Sequence, residues 1–175
     1  GGIVIAAKNA ETLRVMNQKI KDRELTKLYL CVVRGKMTPP NGELRGFLLK
    51  DENKAQVKVY DHPVPGGKTA LTLYKTLAVE NGLSLLECDL ITGRTHQIRA
   101  QFAAAGHPLL GDGKYGRERD NKQYGRSYQA LYSYKLRFEF TTDAGCLNEL
   151  NGREWTVKDV DFVSEYFPDY PIGCP

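Results

Sequence analysis

Hydrophobic residues follow the two-residue period of β-strands through much of the middle of this chain. Residues 54–61 alternate between apolar and polar side chains, and two longer apolar-rich runs cover residues 69–80 and 83–91. The dipeptide Asn81-Gly82 separates these two runs, which is a strong signal for a two-residue hairpin turn. Further strands are predicted at residues 3–7, 26–35, 42–51 (a short one), 127–140 and 154–158.

A helical period is found near the start of the chain and again at its end. Asn9 is a suitable N-cap for a helix over residues 10–24. That helix would place Leu13, Met16 and Ile20 on one apolar face. A shorter helix is predicted near residues 160–167.

The helical period also appears directly after residues 83–91. Thr95 is a suitable N-cap, and Gly106 is suited to end the helix. Between them, Ile98, Phe102 and Ala105 share one face. The sequence therefore predicts a strand, a turn and a helix in succession.

Predicted strands outnumber predicted helices, and most follow one another in hairpin order. This pattern is typical of an α+β fold, here a largely antiparallel mixed sheet with a few flanking helices. The 175 residues contain no repeat, low-complexity segment or internal boundary, so residues 1–175 are predicted to form a single domain. The chain opens inside a predicted strand, and we interpret it as part of a longer protein.

The composition is that of an ordinary soluble domain, with 41% hydrophobic and 26% charged residues. The net charge of +4 permits a polyanionic partner without requiring one. No apolar run is long enough to predict a membrane span. The histidines and cysteines lack metal-site spacing, so no metal is expected, and scattered cysteines suit a reducing cytoplasm. These cysteines are Cys31, Cys88, Cys146 and Cys174.

The residues from Thr92 to Arg99 read TGRTHQIR and concentrate polar side chains at the start of the predicted helix. The guanidiniums of Arg94 and Arg99 repel each other unless an anion lies beside them, and a helix N-terminus also favours an anion. The residues leave this anion open: a carboxylate of the protein, a phosphate of a ligand, or only water. A surface helix whose arginines form salt bridges is an equally good interpretation.

Three other features are candidates for chemistry. Tyr29 lies within an apolar strand, where a tyrosine usually belongs to the core or faces a cleft. The glycine-rich loop 106–116 presents Asp112 and Tyr115, although the same pattern is typical of a turn-rich connection. Residues 116–128 mix arginines with tyrosines, which can bind RNA or simply be solvated.

Taken in order, the segments resemble the RluA-type pseudouridine synthases. The resemblance implies the pseudouridine synthase fold and an enzyme that isomerises uridine in RNA without cofactor or metal. It points to large-subunit ribosomal RNA, with transfer RNA as the alternative, and a monomer is the default expectation. The resemblance rests on GGIVIAAKN, TKLYLCVVRG, TALTLYKTL, LITGRTHQIRAQFAAAGHPLLGDGKYG and QALYSYKLRFEF.

The resemblance also implies roles for individual residues, because the target uridine is flipped into a pocket of the enzyme. Arg99 matches the family arginine that pairs with a catalytic aspartate. Tyr29 matches the tyrosine that stacks under the base and helps to remove its C5 proton. Ile98 matches the apolar residue beside the base, whereas Arg94 and His96 are expected to shape the cleft or contact the RNA backbone.

The catalytic aspartate itself is expected outside this sequence. In the family it belongs to a His-Arg-Leu-Asp motif, which would lie a few residues before Gly1, and no aspartate of this chain, including Asp112, stands in that motif. These 175 residues alone are therefore expected to be inactive. The alternative is a non-catalytic RNA-binding module that uses the same basic cleft.

Overall fold

The computed structural model describes residues 1–51 and 54–172. The strands are β1 Leu25–Arg34, β2 Asn41–Asp51, β3 Gln56–Tyr60, β4 Lys68–Glu80, β5 Leu83–Leu90, β6 Leu131–Phe138 and β7 Glu154–Thr156. The helices are α1 Ala10–Lys21, α2 Gln97–Ala104, α3 Glu118–Gln123 and α4 Asp161–Tyr166, with a 3-10 helix at Gly145–Leu150. The strands form one sheet in the order β3-β2-β4-β5-β1-β6-β7, and each neighbouring pair is antiparallel. The predicted α+β class is confirmed.

The hairpin between β4 and β5 forms at the predicted turn. Asn81 and Gly82 have φ angles of 49° and 74°, the positive values that a two-residue turn of this hand requires at both positions. This turn sets the register of β5, which pairs with β4 on one side and β1 on the other. With β4 and β1 as its neighbours, β5 is the central strand of the seven.

The two faces of the sheet pack against different helices. Successive residues of a strand point to opposite faces, so Tyr29 and Cys31 face α2, whereas Leu30 and Val32 face α4. Phe102 of α2 is fully buried, and its burial contributes roughly 2–3 kcal/mol to folding. The α2 side of the sheet carries the candidate site residues.

The predicted strand at residues 3–7 is wrong. Gly2 alone forms a bridge, parallel to β6 at Ser133, and Val4 is already 85% exposed. The physical reason is competition for the same edge, because β7 pairs with residues 135–137 of β6. The N-terminal segment must therefore leave the sheet directly after Ser133.

The first helix agrees with the prediction at its start and differs on its face. Asn9 is the N-cap, and its Oδ1 accepts a hydrogen bond from the Thr12 N–H at 2.8 Å. Of the predicted apolar face, Met16 is buried, but Leu13 and Ile20 are about half exposed, at 52% and 50%. The helix ends at residue 21 rather than 24.

Other elements differ in extent or orientation. β2 has 11 residues rather than being short, and neither α3 nor the 3-10 helix was predicted. The alternation along residues 134–140 predicts that Tyr134, Leu136, Phe138 and Phe140 share one side; all four are buried, but Tyr134 packs in a different cluster from the other three. A register shift between β1 and β6 next to Tyr134 breaks the strict alternation there.

Candidate active site

All five site residues proposed from the sequence border one cleft on the α2 side of the sheet. This central cleft has a volume of about 260 Å³ and lies where β1, β5 and the start of α2 meet. The five residues are Tyr29, Arg94, His96, Ile98 and Arg99. The structure also adds Leu90, Gln97, Gln129 and Leu131, which sequence reasoning missed. Gln129 and Leu131 precede or begin β6 and carried no sequence signal for a site.

Tyr29 forms part of the sheet floor of the central cleft. It lies opposite Cys88 of β5 and Ser133 of β6, so both of its neighbouring strands fix its backbone. Its ring is partly buried, and its hydroxyl has no hydrogen-bond partner among the described residues. That hydroxyl is therefore available to a group bound in the cleft.

The turn that leads into α2 is held by a side chain inside the helix rather than by the predicted Thr95 cap. The N-cap is His96, in the left-handed conformation with φ 54°, and no side-chain cap is formed. Instead, the Gln97 Oε1 accepts hydrogen bonds from the Arg94 N–H at 3.0 Å and the Thr92 hydroxyl at 2.8 Å. The Thr95 cap prediction was wrong, because the helix begins one residue later and the Gln97 amide holds the preceding turn without capping the first-turn N–H groups.

Two buried glutamines then fix α2 on the sheet. The Gln97 Nε2 donates to the Leu71 carbonyl oxygen at 3.0 Å, and the Thr72 hydroxyl donates to the Gln101 Oε1 at 2.7 Å. The Gln101 Nε2 in turn donates to the Leu44 carbonyl oxygen at 2.9 Å. Each such bond contributes about 1 kcal/mol net, but losing one partner would leave a buried polar group unsatisfied. The network keeps the site residues of α2 in register with the sheet.

Arg99 is paired with Asp112, a carboxylate of the same chain. The Nε and Nη2 atoms of Arg99 donate to Oδ2 and Oδ1 of Asp112, both at 2.7 Å. The Arg99 side chain is 12% exposed and the Asp112 side chain is 0% exposed. Asp112 also accepts the N–H groups of Lys114 at 2.8 Å and Tyr115 at 3.0 Å.

This pair is charged at neutral pH. Burial on its own would raise the pKa of Asp112, but the hydrogen bonds from Arg99 and from two backbone N–H groups outweigh burial and lower that pKa. The hydrogen bond to Asp112 raises the pKa of Arg99. Of the two arginines in the motif, Arg99 is therefore the one that is paired with an anion. That anion is the Asp112 carboxylate of the glycine-rich loop.

Arg99 keeps donors for a second anion. Its Nη1 has no partner among the described residues, and the Tyr115 ring lies 5.2 Å from its Cζ atom. Because Asp112 balances its charge, Arg99 offers an approaching carboxylate directed hydrogen bonds rather than an unbalanced positive charge. The arrangement suits the positioning of a second carboxylate.

His96 is held as a neutral imidazole. Its Nδ1 lies 3.0 Å from the Tyr115 hydroxyl, and that oxygen accepts the Val57 N–H at 2.8 Å. The Tyr115 proton is therefore free to point at Nδ1, which leaves Nε2–H of His96 as a donor. Burial, followed by the charges of Arg99 and Lys114, lowers the pKa of His96.

No group of three histidine, cysteine or acidic side chains within the described ranges is placed to hold a metal ion. Of the helices in residues 1–51 and 54–172, none is long and apolar enough to cross a membrane. The described cysteines Cys31, Cys88 and Cys146 are free thiols, and Cys174 lies outside the described residues.

The comparisons with known proteins agree with the fold and the motif. The family model described as RNA pseudouridylate synthase matches residues 1–104, and the chain belongs to this family. The chain is 34% identical over 175 residues to the ribosomal large subunit pseudouridine synthase C of Rickettsia felis, covering 99% of this chain and 53% of that protein. It is 36% identical over 138 residues to the ribosomal large subunit pseudouridine synthase D of Borreliella burgdorferi, covering 79% of this chain and 41% of that protein.

Solved structures extend the agreement to the backbone. The human RNA pseudouridylate synthase domain containing 4 superposes with a TM-score of 0.68 at 16% identity, over 90% of this chain and 66% of that one. The human RNA pseudouridylate synthase domain containing 1 gives a TM-score of 0.65 at 20% identity, over 96% of this chain and 76% of that one. At these identities the likeness concerns the fold.

The RluA-type resemblance of the sequence is thus confirmed, and the alternative of a non-catalytic RNA-binding module is not favoured. The chain spans about half the length of the curated relatives it matches.

Proposed function

We propose that the protein to which this chain belongs isomerises uridine to pseudouridine in RNA. The observation that carries the proposal is that Tyr29, Ile98 and Arg99 all line the central cleft, where Ile98 is 4% exposed and the Arg99 side chain 12% exposed. The curated relatives cited above are named as ribosomal large-subunit enzymes, so we propose large-subunit ribosomal RNA as the substrate. Transfer RNA is the alternative substrate.

The reaction itself sets the requirements of the site. Isomerisation breaks the N1–C1′ bond of uridine and joins C1′ to C5, while C5 loses its hydrogen and N1 gains one. Since reactant and product have the same atoms, the chemistry needs a held base, a carboxylate and a route for the C5 proton. We assign Tyr29 to stacking under the base and to passing on that proton, because its hydroxyl is free within the cleft.

The catalytic carboxylate is proposed to enter beside β6. The nitrogen of Gly1 lies 3.2 Å from the carbonyl oxygen of Leu131, and Leu131 borders the central cleft. Because Gly2 runs parallel to β6, any residue that preceded Gly1 would lie towards Gln129, another cleft residue. An aspartate at that place could accept the free Nη1–H groups of Arg99, and these hydrogen bonds to its charged form would keep it ionised.

The remaining site residues are proposed to bind the substrate. Ile98 is 4% exposed and would pack beside the flipped base. Neutral His96 would donate its Nε2–H to the nucleotide. The Arg94 side chain is exposed, and its Nε atom donates to the Thr69 carbonyl oxygen at 3.2 Å. The other N–H groups of Arg94 would contact RNA phosphate.

Pseudouridine mapping tests the assignment of substrate. RNA from a strain lacking the gene should miss at least one pseudouridine of large-subunit ribosomal RNA, and the intact gene should restore it. Loss confined to transfer RNA would replace the proposed substrate by the alternative. An unchanged map in both RNA classes would contradict the proposed function.

We also propose that the protein works as a monomer in the cytoplasm. Cys31 and Cys88 are buried with their Sγ atoms 3.6 Å apart, and free thiols suit a reducing compartment. Light scattering on the complete gene product should give the mass of one subunit, and a stable dimer would contradict the monomer.

A further inference from the structure

A second groove opens beside the central cleft, and the charged residues among its described lining are all cationic. It has a volume of about 370 Å³ and lies between the β2–β3 hairpin, the start of β4 and the turn before α2. Its charged lining residues are Lys50, Lys68 and Arg94, and none of its described lining residues is a carboxylate. We call this feature the basic groove.

The three cations of the basic groove lack anionic partners in the part of the chain that the structure describes. Lys50, Lys68 and Arg94 are exposed, and none forms an ion pair with a described carboxylate. Three like charges around one groove repel one another, and an anion bound between them would relieve that repulsion. The groove is thus suited to an anionic ligand.

The basic groove adjoins the central cleft, because Arg94 lines both. Its hairpin wall is also tied to the loop that carries Asp112. The Gln56 Nε2 donates to the Lys114 carbonyl oxygen at 2.8 Å, and the Val57 N–H donates to the Tyr115 hydroxyl at 2.8 Å. A ligand in the groove therefore lies at a fixed position relative to the cleft.

The uncharged lining of the groove indicates which part of a nucleic acid would bind there. Leu48, Leu49 and Val57 contribute aliphatic surface, and no described lining residue is aromatic. Single-stranded RNA is commonly bound by cations that contact phosphates and aromatic rings that stack on bases. With cations alone, the groove would contact the phosphates and not the bases.

We propose that the basic groove binds the phosphates of the single RNA strand that continues from the flipped nucleotide, with Lys50 and Lys68 as its contacts beyond Arg94. This proposal rests on the proposed function, because it takes the central cleft as the place of the flipped base. Binding through phosphates alone is independent of base sequence and weakens with salt.

The test compares the complete gene product with its Lys50→Gln/Lys68→Gln variant. Fluorescence anisotropy measures the binding of labelled oligouridylate and labelled oligocytidylate over a range of salt concentrations. The variant should bind both RNAs more weakly by the same factor, and the slope of log K against log salt should fall by about 1.4, or roughly 0.7 for each lost cation. A Lys36→Gln/Lys158→Gln variant removes the same charge at exposed positions outside the groove and should change the slope by much less.

Several outcomes would overturn the proposal. Equal losses in the two double variants would assign the effect to net charge. A loss restricted to one of the two RNAs would indicate that the groove contacts bases. Polyglutamate is tested as a competitor. If it displaces RNA from wild type but not from the groove variant, the groove is a site for acidic peptides. Pseudouridine formation is measured separately, so an inactive wild type that still binds RNA through Lys50 and Lys68 would count against the proposed function alone.

Discussion

The guanidinium of Arg99 and the carboxylate of Asp112 form a forked ion pair with two N–O distances of 2.7 Å. The pair joins α2 to the glycine-rich loop and leaves Nη1 of Arg99 facing no described partner. Arg99 thus uses its Nε and Nη2 atoms to hold the fold together, whereas its Nη1 atom is available to a reacting group. The consequences for folding and for catalysis are separable.

Asp112→Asn should destabilise the fold. The substitution leaves the Arg99 charge largely buried without its counter-ion, and breaking one side of such a pair costs about 3 kcal/mol. Denaturant unfolding of the 175-residue chain measures this difference. Asp61→Asn is the matched control, because the Asp61 side chain is 95% exposed, and it should change the free energy of unfolding by less than about 0.5 kcal/mol. Equal stability of the Asp112→Asn variant and wild type would contradict a structural role for the pair.

Arg99→Lys should impair catalysis in the complete gene product. A lysine cannot donate two parallel hydrogen bonds to Asp112 while also presenting an N–H to a second carboxylate. Misplacing that carboxylate lowers turnover by on the order of 100-fold. Pseudouridine formation under saturating RNA measures the effect, with Arg45→Lys as the control because its side chain is 62% exposed in a surface pair with Glu43. Unchanged turnover in Arg99→Lys would argue against the assignment.

Tyr29→Phe should lower turnover while preserving the fold. The ring stays in the cleft, whereas the hydroxyl proposed to pass on the C5 proton is lost, and proton transfer of this kind contributes about 100-fold or more. Turnover and thermal unfolding are measured on the same samples. Tyr128→Phe serves as the control, since Tyr128 is 80% exposed. A Tyr29→Phe enzyme with wild-type turnover would remove the hydroxyl from the mechanism.

His96 should titrate below its ordinary pKa of 6.5, because burial and then the charges of Arg99 and Lys114 disfavour its protonated form. Its contribution to stability is therefore fully present above about pH 6.5 and is lost as the pH falls through the lowered pKa. NMR titration of the His96 ring measures this pKa. Lys114→Gln should raise it, whereas Lys36→Gln should leave it unchanged. A His96 pKa above 6.5 in wild type would contradict the neutral imidazole described for the site.

The sequence predicted elements whose signals are local. Asn9 caps α1 and Asn81-Gly82 turns the β4–β5 hairpin because each signal involves only neighbouring residues. The strand at residues 3–7 failed because a distant strand, β7, occupies the edge that it would need. Competition between segments far apart in sequence leaves no trace in either segment.

The sequence predicted which residues belong to the candidate site but not which residues they contact. The TGRTHQIR motif and Tyr29 were identified, and the structure brings them to one cleft. Thr95 was the wrong cap because α2 begins one residue later, after His96 in the left-handed conformation. Asp112 was noted in its loop, but its pairing with Arg99 depends on how that loop folds over α2, which residue spacing does not reveal.

Tritium release from RNA labelled at C5 of uridine measures the proposed reaction itself, because pseudouridine formation removes the C5 hydrogen. Unmodified large-subunit ribosomal RNA is incubated with the complete gene product and, separately, with the 175-residue chain. Tritium release is expected with the complete gene product and not with the chain alone. Release by the chain alone, or no release by the complete product from ribosomal or transfer RNA, would contradict this expectation.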